Sequence, residues 1–301
     1  MSNRVKPLLQ GMCIGAADVV PGVSGGTMAL ILGIYERLLH AIRSVDLHFL
    51  RLLAQRRFAA AAAHVDLVFL LTLGAGIVCA IAFFTRVVRL PELITTHPEP
   101  VYGLFFGLIV ASICVLLQAR RPLTPARLGW ILLGTLGGFA IVNLVPVETP
   151  TAGWFVFLCG VVAISAMILP GISGSFILLV LNKYAYVFDA LGRLDISVIA
   201  PFVLGCACGL AVFSRFLDWL LGRFHDATLL TIVGVLTGSL WMIWPFQERS
   251  YQLVRGKERL LHSVPTLPQH WDASAWTALA LAVLGAAAVL LLQHAAARQR
   301  A

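Results

Sequence analysis

Charge is scarce along this chain. Asp, Glu, Lys and Arg make up 12% of its 301 residues and 59% of positions are hydrophobic, whereas a soluble domain carries about 25% charged residues. A soluble fold is excluded. The formal net charge of +8 does not point to nucleic acid, because the basic residues fall mostly in short connections, where they orient membrane helices and meet anionic lipid. Cysteine is limited to Cys13, Cys79, Cys114, Cys159, Cys206 and Cys208, all inside apolar stretches and without paired ligand spacing beyond one Cys-Ala-Cys. They read as small buried hydrophobes, so neither disulfides nor a metal or other cofactor is expected. Machinery for hydrolysis is missing too. His40, His48, His64, His97, His225, His262, His270 and His294 fall in loops or at segment ends without partners at motif spacing, which argues against an enzyme such as a lipid phosphatase. Arg4 and Lys6 precede an apolar run, but that run carries Asp18 and Pro21 and shows no small-residue cleavage site, so no removable signal peptide is expected.

What the chain does have is long apolar runs. A bilayer-crossing helix needs about 20 mainly apolar residues, and such runs lie at 66–88, 100–118, 128–147, 196–221, 228–244 and 275–292. Two more, near 8–38 and 153–188, are interrupted by Pro and Gly. The pattern predicts a single all-α integral membrane domain over 1–301. Residues 40–58 mix Ile42, Val45, Phe49, Leu50 and Leu53 with arginines, as an interfacial helix does.

The interrupted runs are copies of each other. A shift of 149 residues lays GMCIGAADVVPGVSGGTMALILGIYERLLHA (11–41) over GVVAISAMILPGISGSFILLVLNKYAYVFDA (160–190). Gly11, Ala17, Pro21, Gly22, Ser24, Gly25, Leu30, Leu32, Tyr35 and Ala41 recur as Gly160, Ala166, Pro170, Gly171, Ser173, Gly174, Leu179, Leu181, Tyr184 and Ala190. Further on, Phe84-Thr85-Arg86 echoes Phe213-Ser214-Arg215, and GLIVAS (107–112) echoes GVLTGS (234–239). The chain is therefore read as two repeats, 8–147 with a hairpin at 8–38 and 153–293 with a hairpin at 153–188.

If each interrupted run is a re-entrant hairpin, three spans separate the two, and an odd number inverts the copies. With a cytoplasmic N-terminus, the loops holding Arg37, Arg43, Arg51, Arg56 and Arg57, and Arg120, Arg121 and Arg127, then both face the cytoplasm, as the positive-inside rule asks. A single kinked span at 8–38 would put both loops outside. The loop 246–274, with Arg249, Arg255, Lys257 and Arg259, falls outside and runs against the rule, which long loops obey less strictly. Both termini are expected in the cytoplasm.

Each Pro-Gly-X-Ser-Gly turn breaks one helix and opens another near Gly25 or Gly174. Free amides with Ser24, Gly25, Gly26 and Thr27, and with Ser173, Gly174 and Ser175, form a candidate anion site. Packing alone asks for small residues and has no need of Pro and Ser at matched places in both halves. Two inverted copies bring the turns together near the midplane, as in secondary transporters. Embedded charge adds candidates: Arg86 and Arg215, each after a hydroxyl residue, are natural phosphate partners, though Arg86 also suits snorkelling to the interface. Asp18 and Glu36, replaced by Met167 and Ala185 in the second half, are candidates for carrying a coupling proton.

GAADVVPGVSGGTMALILGIYERL (15–38) and MILPGISGSFILLVLNKY (167–184) together resemble the paired signature of the bacterial polyprenyl-phosphate transporter family, and GSLWMIWP (238–245) is in the same style. The likeness covers nearly the whole chain. It implies a multi-pass protein of the bacterial inner membrane that flips undecaprenyl phosphate from the outer to the inner leaflet for reuse in envelope synthesis; Asp18, apart from the resemblance, points to a proton as coupling ion, with sodium as the other candidate. Asn182 and Lys183 stand where the first half has Gly33 and Ile34, making the second exit more polar. The alternative within transport is a carrier of a small soluble anion or ion, and outside it a structural or assembly subunit.

Overall fold

The computed structural model describes residues 2–20, 23–118, 120, 122–144, 149–254, 257–268 and 271–298. Pro21 and Gly22 of the first turn, Arg121 and Arg255 of the basic loops and His270 lie outside them. The first half folds as α1 (Ser2–Asp18), α2 (Gly25–Ile31), α3 (Tyr35–Arg43), α4 (Leu47–Ala54), α5 (Phe58–His64), α6 (Leu67–Arg86), α7 (Leu90–Thr96), α8 (Pro98–Gln118) and α9 (Pro125–Val142). The second half folds as α10 (Gly153–Ile168), α11 (Gly174–Val180), α12 (Tyr184–Arg193), α13 (Ile196–Arg223), α14 (His225–Ser239) and α15 (Ala273–Arg298). Between α14 and α15 runs an antiparallel hairpin, β1 (Gln247–Val254) with β2 (Lys257–Pro265).

This is an all-α multi-pass membrane fold with that one hairpin added. Five helices, α6, α8, α9, α13 and α15, are long and apolar enough to cross a bilayer, and the pair α11 and α12, bent by 107°, passes the same test together. Their outward faces are greasy: along α9, Leu128, Trp130, Leu132, Leu133, Leu136 and Phe139 are all exposed, a surface that only lipid or protein covers stably. The run at 228–244 forms a shorter helix than expected, since the 15 residues of α14 span about 22 Å. Residues 246–274 hold the hairpin rather than a plain loop. The flanks of Arg255-Gly256, QERSYQLV and KERLLHSVP, carry no regular alternation of apolar and polar residues, so the sequence offered no period-two signal for it. The cysteines are less uniformly buried than expected: Cys159 is buried, whereas Cys13, Cys79, Cys114 and Cys208 are exposed and all six are free. These four lie on outward faces of helices, where a weakly polar thiol is as acceptable as in a core.

Helix ends follow from local chemistry. Thr124 caps α9, with Pro125 at its first position, and Asp46 and Asp195 cap α4 and α13 through the amides of Phe49 and Ser197. The exits of the two short helices share one device: Gly33 (φ +68°) and Asn182 (φ +51°) hold the same left-handed position in the two copies, glycine and asparagine being residues that tolerate it.

Glycines set the helix pairs. In α1 against α6, a β-carbon at Gly11 would run into the Leu73 carbonyl and one at Gly76 into that of Leu8. In α10 against α13 the same pair of contacts is Gly160 on Phe202 and Gly205 on Phe157. The remaining spans exchange partners between halves: Gly107 of α8 meets Ala282 of α15, and Gly234 of α14 meets Ile131 of α9. Small residues spaced at four let backbones touch, which is how helices associate where no hydrophobic force separates them from lipid. The largest apolar cluster joins Val20, Val23 and Tyr35 of the first hairpin to Phe69, Phe105, Leu229 and Leu236, and so surrounds the hairpin tips.

Candidate functional site

Both short helices begin where the turns predict, α2 at Gly25 and α11 at Gly174. Each folds back along the helix before it in the same way, Gly25 against Ile14 and Asp18, Gly174 against Ala163 and Met167. The tips then meet. Thr27 Oγ1 accepts a hydrogen bond from Gly171 N at 2.9 Å, and Tyr35 donates its hydroxyl to the Ile168 carbonyl at 3.0 Å. Gly26 comes so close that a β-carbon there would lie 2.9 Å from Ile168 O, and Gly171, at φ +93°, packs on Leu236 and Ser239 at the end of α14. Ser24 and Thr27 are 3% and 0% exposed.

The tips differ in chemistry. In the first, Gly25 N donates to Asp18 Oδ1 at 2.8 Å and Gly26 N to Ser24 Oγ at 3.2 Å, so the chain's own carboxylate occupies the start of α2. In the second, Met167 stands where Asp18 would be, and Ser173 makes no cap, its hydroxyl lying 2.7 Å from that of Ser175. Ser175 is exposed and Ser173 half-buried, so this tip is open where the first is closed.

Three predicted site residues do not join the tips. Arg215 turns away from them: Nη1 donates to Ala211 O at 2.6 Å and Nη2 to Val45 O at 2.9 Å, under the α3–α4 connection. Arg86 is exposed in the last turn of α6, about 30 Å along the helix from Asp66. Asp66 pairs with Arg37 at the end of the bundle to which Val45 and Arg215 belong, so the two arginines serve opposite ends rather than one phosphate. The two arginines are matched in the sequence repeat, but the match does not bring them together. Glu36 lies at the same end as Arg37, exposed, with His225 Nε2 at 3.1 Å, too far out for a carboxylate shielded from water. Its contact with His225 lies beside two ion pairs, Arg127–Asp226 and Arg43–Asp218, and together they tie α3, α9, α13 and α14.

Two structural contacts went unread in the sequence, one at the tips and one at the exit of α11. Tyr35 had a visible signal, its recurrence as Tyr184, but nothing local reveals its reach to Ile168. Lys183, seen only as a polar exit, is 3% exposed, donates to Thr149 O at 2.8 Å, and lies 5.8 and 5.9 Å from the ring centres of Phe155 and Tyr186.

Residues 14–260, both hairpins and nearly all the spans, match the family described as VCA0040-like, undecaprenyl phosphate translocase-like. The chain belongs to this family. Among relatives of this VCA0040-like chain, a protein of Vibrio cholerae named polyprenyl-phosphate transporter is 40% identical over 246 residues, 82% of this chain and 79% of the relative. A Staphylococcus aureus protein of the same name is 28% identical over 257 residues, 79% and 85% of the respective chains. No solved structure matches. Membership agrees with a transporter rather than an enzyme.

The contact between tips is testable on its own. Thr27→Val keeps the shape and strands Gly171 N in a buried place, at a cost of about 1–3 kcal/mol. The thermal midpoint in detergent is expected to fall for Thr27→Val and to stay near wild type for Thr27→Ser.

Proposed function

We propose that this protein is a translocase for polyprenyl phosphate, undecaprenyl phosphate in particular, in a bacterial inner membrane, returning the lipid carrier from the outer to the inner leaflet for reuse. The observation that carries the reading is the meeting of two hairpin tips in the middle of the bundle, one uncapped and hydroxyl-rich, the other held by its own carboxylate. The repeated glycine contacts and exchanged spans support two inverted repeats, with the arginine-rich end and both termini cytoplasmic.

In this reading the phosphate binds at Ser173, Gly174 and Ser175, whose hydroxyls and amides supply short hydrogen bonds to an anion. The first tip, Ser24, Gly25, Gly26 and Thr27, adds its amides only when Asp18 lets go of Gly25. A carboxylate and a phosphate compete for the same donors, and a proton on Asp18 removes the competitor. Proton and phosphate then bind together, which is the coupling that a symporter needs. The prenyl chain stays in the bilayer throughout.

The test is leaflet exchange of labelled undecaprenyl phosphate in proteoliposomes, comparing wild type with Ser173→Ala/Ser175→Ala. Loss of two charge-assisted hydrogen bonds is expected to slow exchange about a hundredfold or more while the protein remains folded. Wild type that moves no lipid under either a proton or a sodium gradient sinks the proposal, and uptake of a small anion becomes the reading to test.

A further inference from the structure

The arginine-rich end of the bundle holds a second concentration of charge. A cleft of about 420 Å³ opens between the α3–α4 connection and the last turns of α13, lined by Arg43, Asp46, Arg215 and Trp219. Arg43 is ion-paired with Asp218. Asp46 accepts from Phe49 N at 2.8 Å and lies 3.2 Å from His64 Nε2. The Phe49 amide first, and His64 after it, hold its carboxyl below the usual carboxylate range. Both acidic groups are thus committed to other partners.

Arg215 is different. Its two hydrogen bonds go to the neutral carbonyls of Ala211 and Val45, and among the described residues no carboxylate pairs with it. The carbonyls fix the plane of the guanidinium and leave the rest of its five donors for a ligand. A planar fork with uncompensated charge suits phosphate oxygens.

The outer wall points to the source of that phosphate. Trp219 is exposed beside the cleft and stands in a row with Phe216 and Phe224, ring centres 6.2 Å apart on either side, both of them exposed as well. Aromatics next to arginine at the end of a spanning helix mark the membrane–water boundary, and basic pockets between spanning helices bind anionic headgroups there. We infer that the cleft binds the phosphate headgroup of an anionic membrane lipid, with Arg215 on the phosphate oxygens and Trp219 and Phe216 against the first carbons of its chains. Any lipid of that leaflet whose headgroup keeps a net negative charge on its phosphate qualifies, and binding is measured without translocation, so the inference stands or falls separately from the transport reading.

Native mass spectrometry of the purified full chain, titrated with phosphatidylglycerol and phosphatidylcholine, tests it. Wild type is expected to favour phosphatidylglycerol by about tenfold in Kd, Arg215→Gln to lose that preference, and Arg215→Lys to keep much of it. An unchanged preference in folded Arg215→Gln overturns the site. Displacement of the lipid by inorganic phosphate also overturns it, reassigning the cleft to a soluble anion. Should Arg215→Gln fail to fold for want of the Val45 bond, the wild type still decides. Phosphatidylglycerol with brominated chains is expected to quench Trp219, read as the difference between wild type and Trp219→Phe, more than brominated phosphatidylcholine does, and equal quenching removes the lipid site.

Discussion

Asp18→Asn is expected to lower gradient-driven translocation of undecaprenyl phosphate by about a hundredfold, while exchange without a gradient persists. The substitution is nearly isosteric, and an asparagine oxygen still accepts from Gly25 N, so the start of α2 stays capped and the hairpin stays folded. What disappears is the charge and its proton. On the proposed mechanism, ionised Asp18 holds the Gly25 amide against a phosphate in the wild type, and acid frees it. Phosphate binding therefore strengthens as pH falls through the protonation of Asp18 and weakens as pH rises. The substrate's own phosphate titrates near pH 6, so the informative quantity is the difference between the two proteins over a pH series. The asparagine side chain is neutral at every pH, and the wild-type pH dependence beyond that of the substrate should vanish in the variant. An Asp18→Asn protein that still accumulates lipid driven by a proton gradient would remove Asp18 from coupling and leave the tips as a binding site alone.

The asymmetry behind that prediction was half legible. Asp18 and Met167 occupy equivalent places in the aligned copies, so the sequence marked one tip as acidic and the other as apolar. It did not reveal that the carboxylate closes on an amide seven residues further on, because a side chain reaching across a proline turn leaves no periodic trace. The starts of α2 and α11 were expected near Gly25 and Gly174 and lie there, since Pro, Gly and Ser act within a few bonds of where they stand. The arginines failed for the opposite reason. Arg86 and Arg215 were paired because they occupy matched places after Thr85 and Ser214, yet a match in sequence does not fix a shared place in the bundle, and the partner that holds Arg215, Val45 O, is 170 positions away. Local chemistry was legible and long-range placement was not, except where the repeat itself carried it.

Gly107 provides the sharpest test of how the repeat is built. A β-carbon there would lie inside the Ala282 carbonyl, with the Ala282 Cα within 2.8 Å, so Gly107→Ala must push α8 and α15 apart along the whole seam that Gly103 and Gly285 also line. Overpacking of this kind costs about 1–3 kcal/mol, and a backbone obstacle cannot rotate away as a side chain would. The thermal midpoint in detergent is expected to drop by several degrees, on the order of 2–4 °C per kcal/mol for a chain of this size. Gly234→Ala, which meets Ile131 in the exchanged pair α14 and α9, is expected to fall by a similar amount, because it breaks the equivalent contact. Gly137 supplies the contrast: nothing lies within 4 Å of a β-carbon there, so Gly137→Ala should raise the midpoint through the better helix propensity of alanine, worth about 1 kcal/mol. The same substitution thus changes sign within one apolar sequence according to whether a neighbouring backbone is in the way. Equal losses at Gly107 and Gly234 with a gain at Gly137 would support the exchange of spans between halves, whereas a loss at one of the paired glycines without the other would mean that the two seams do not carry equivalent weight.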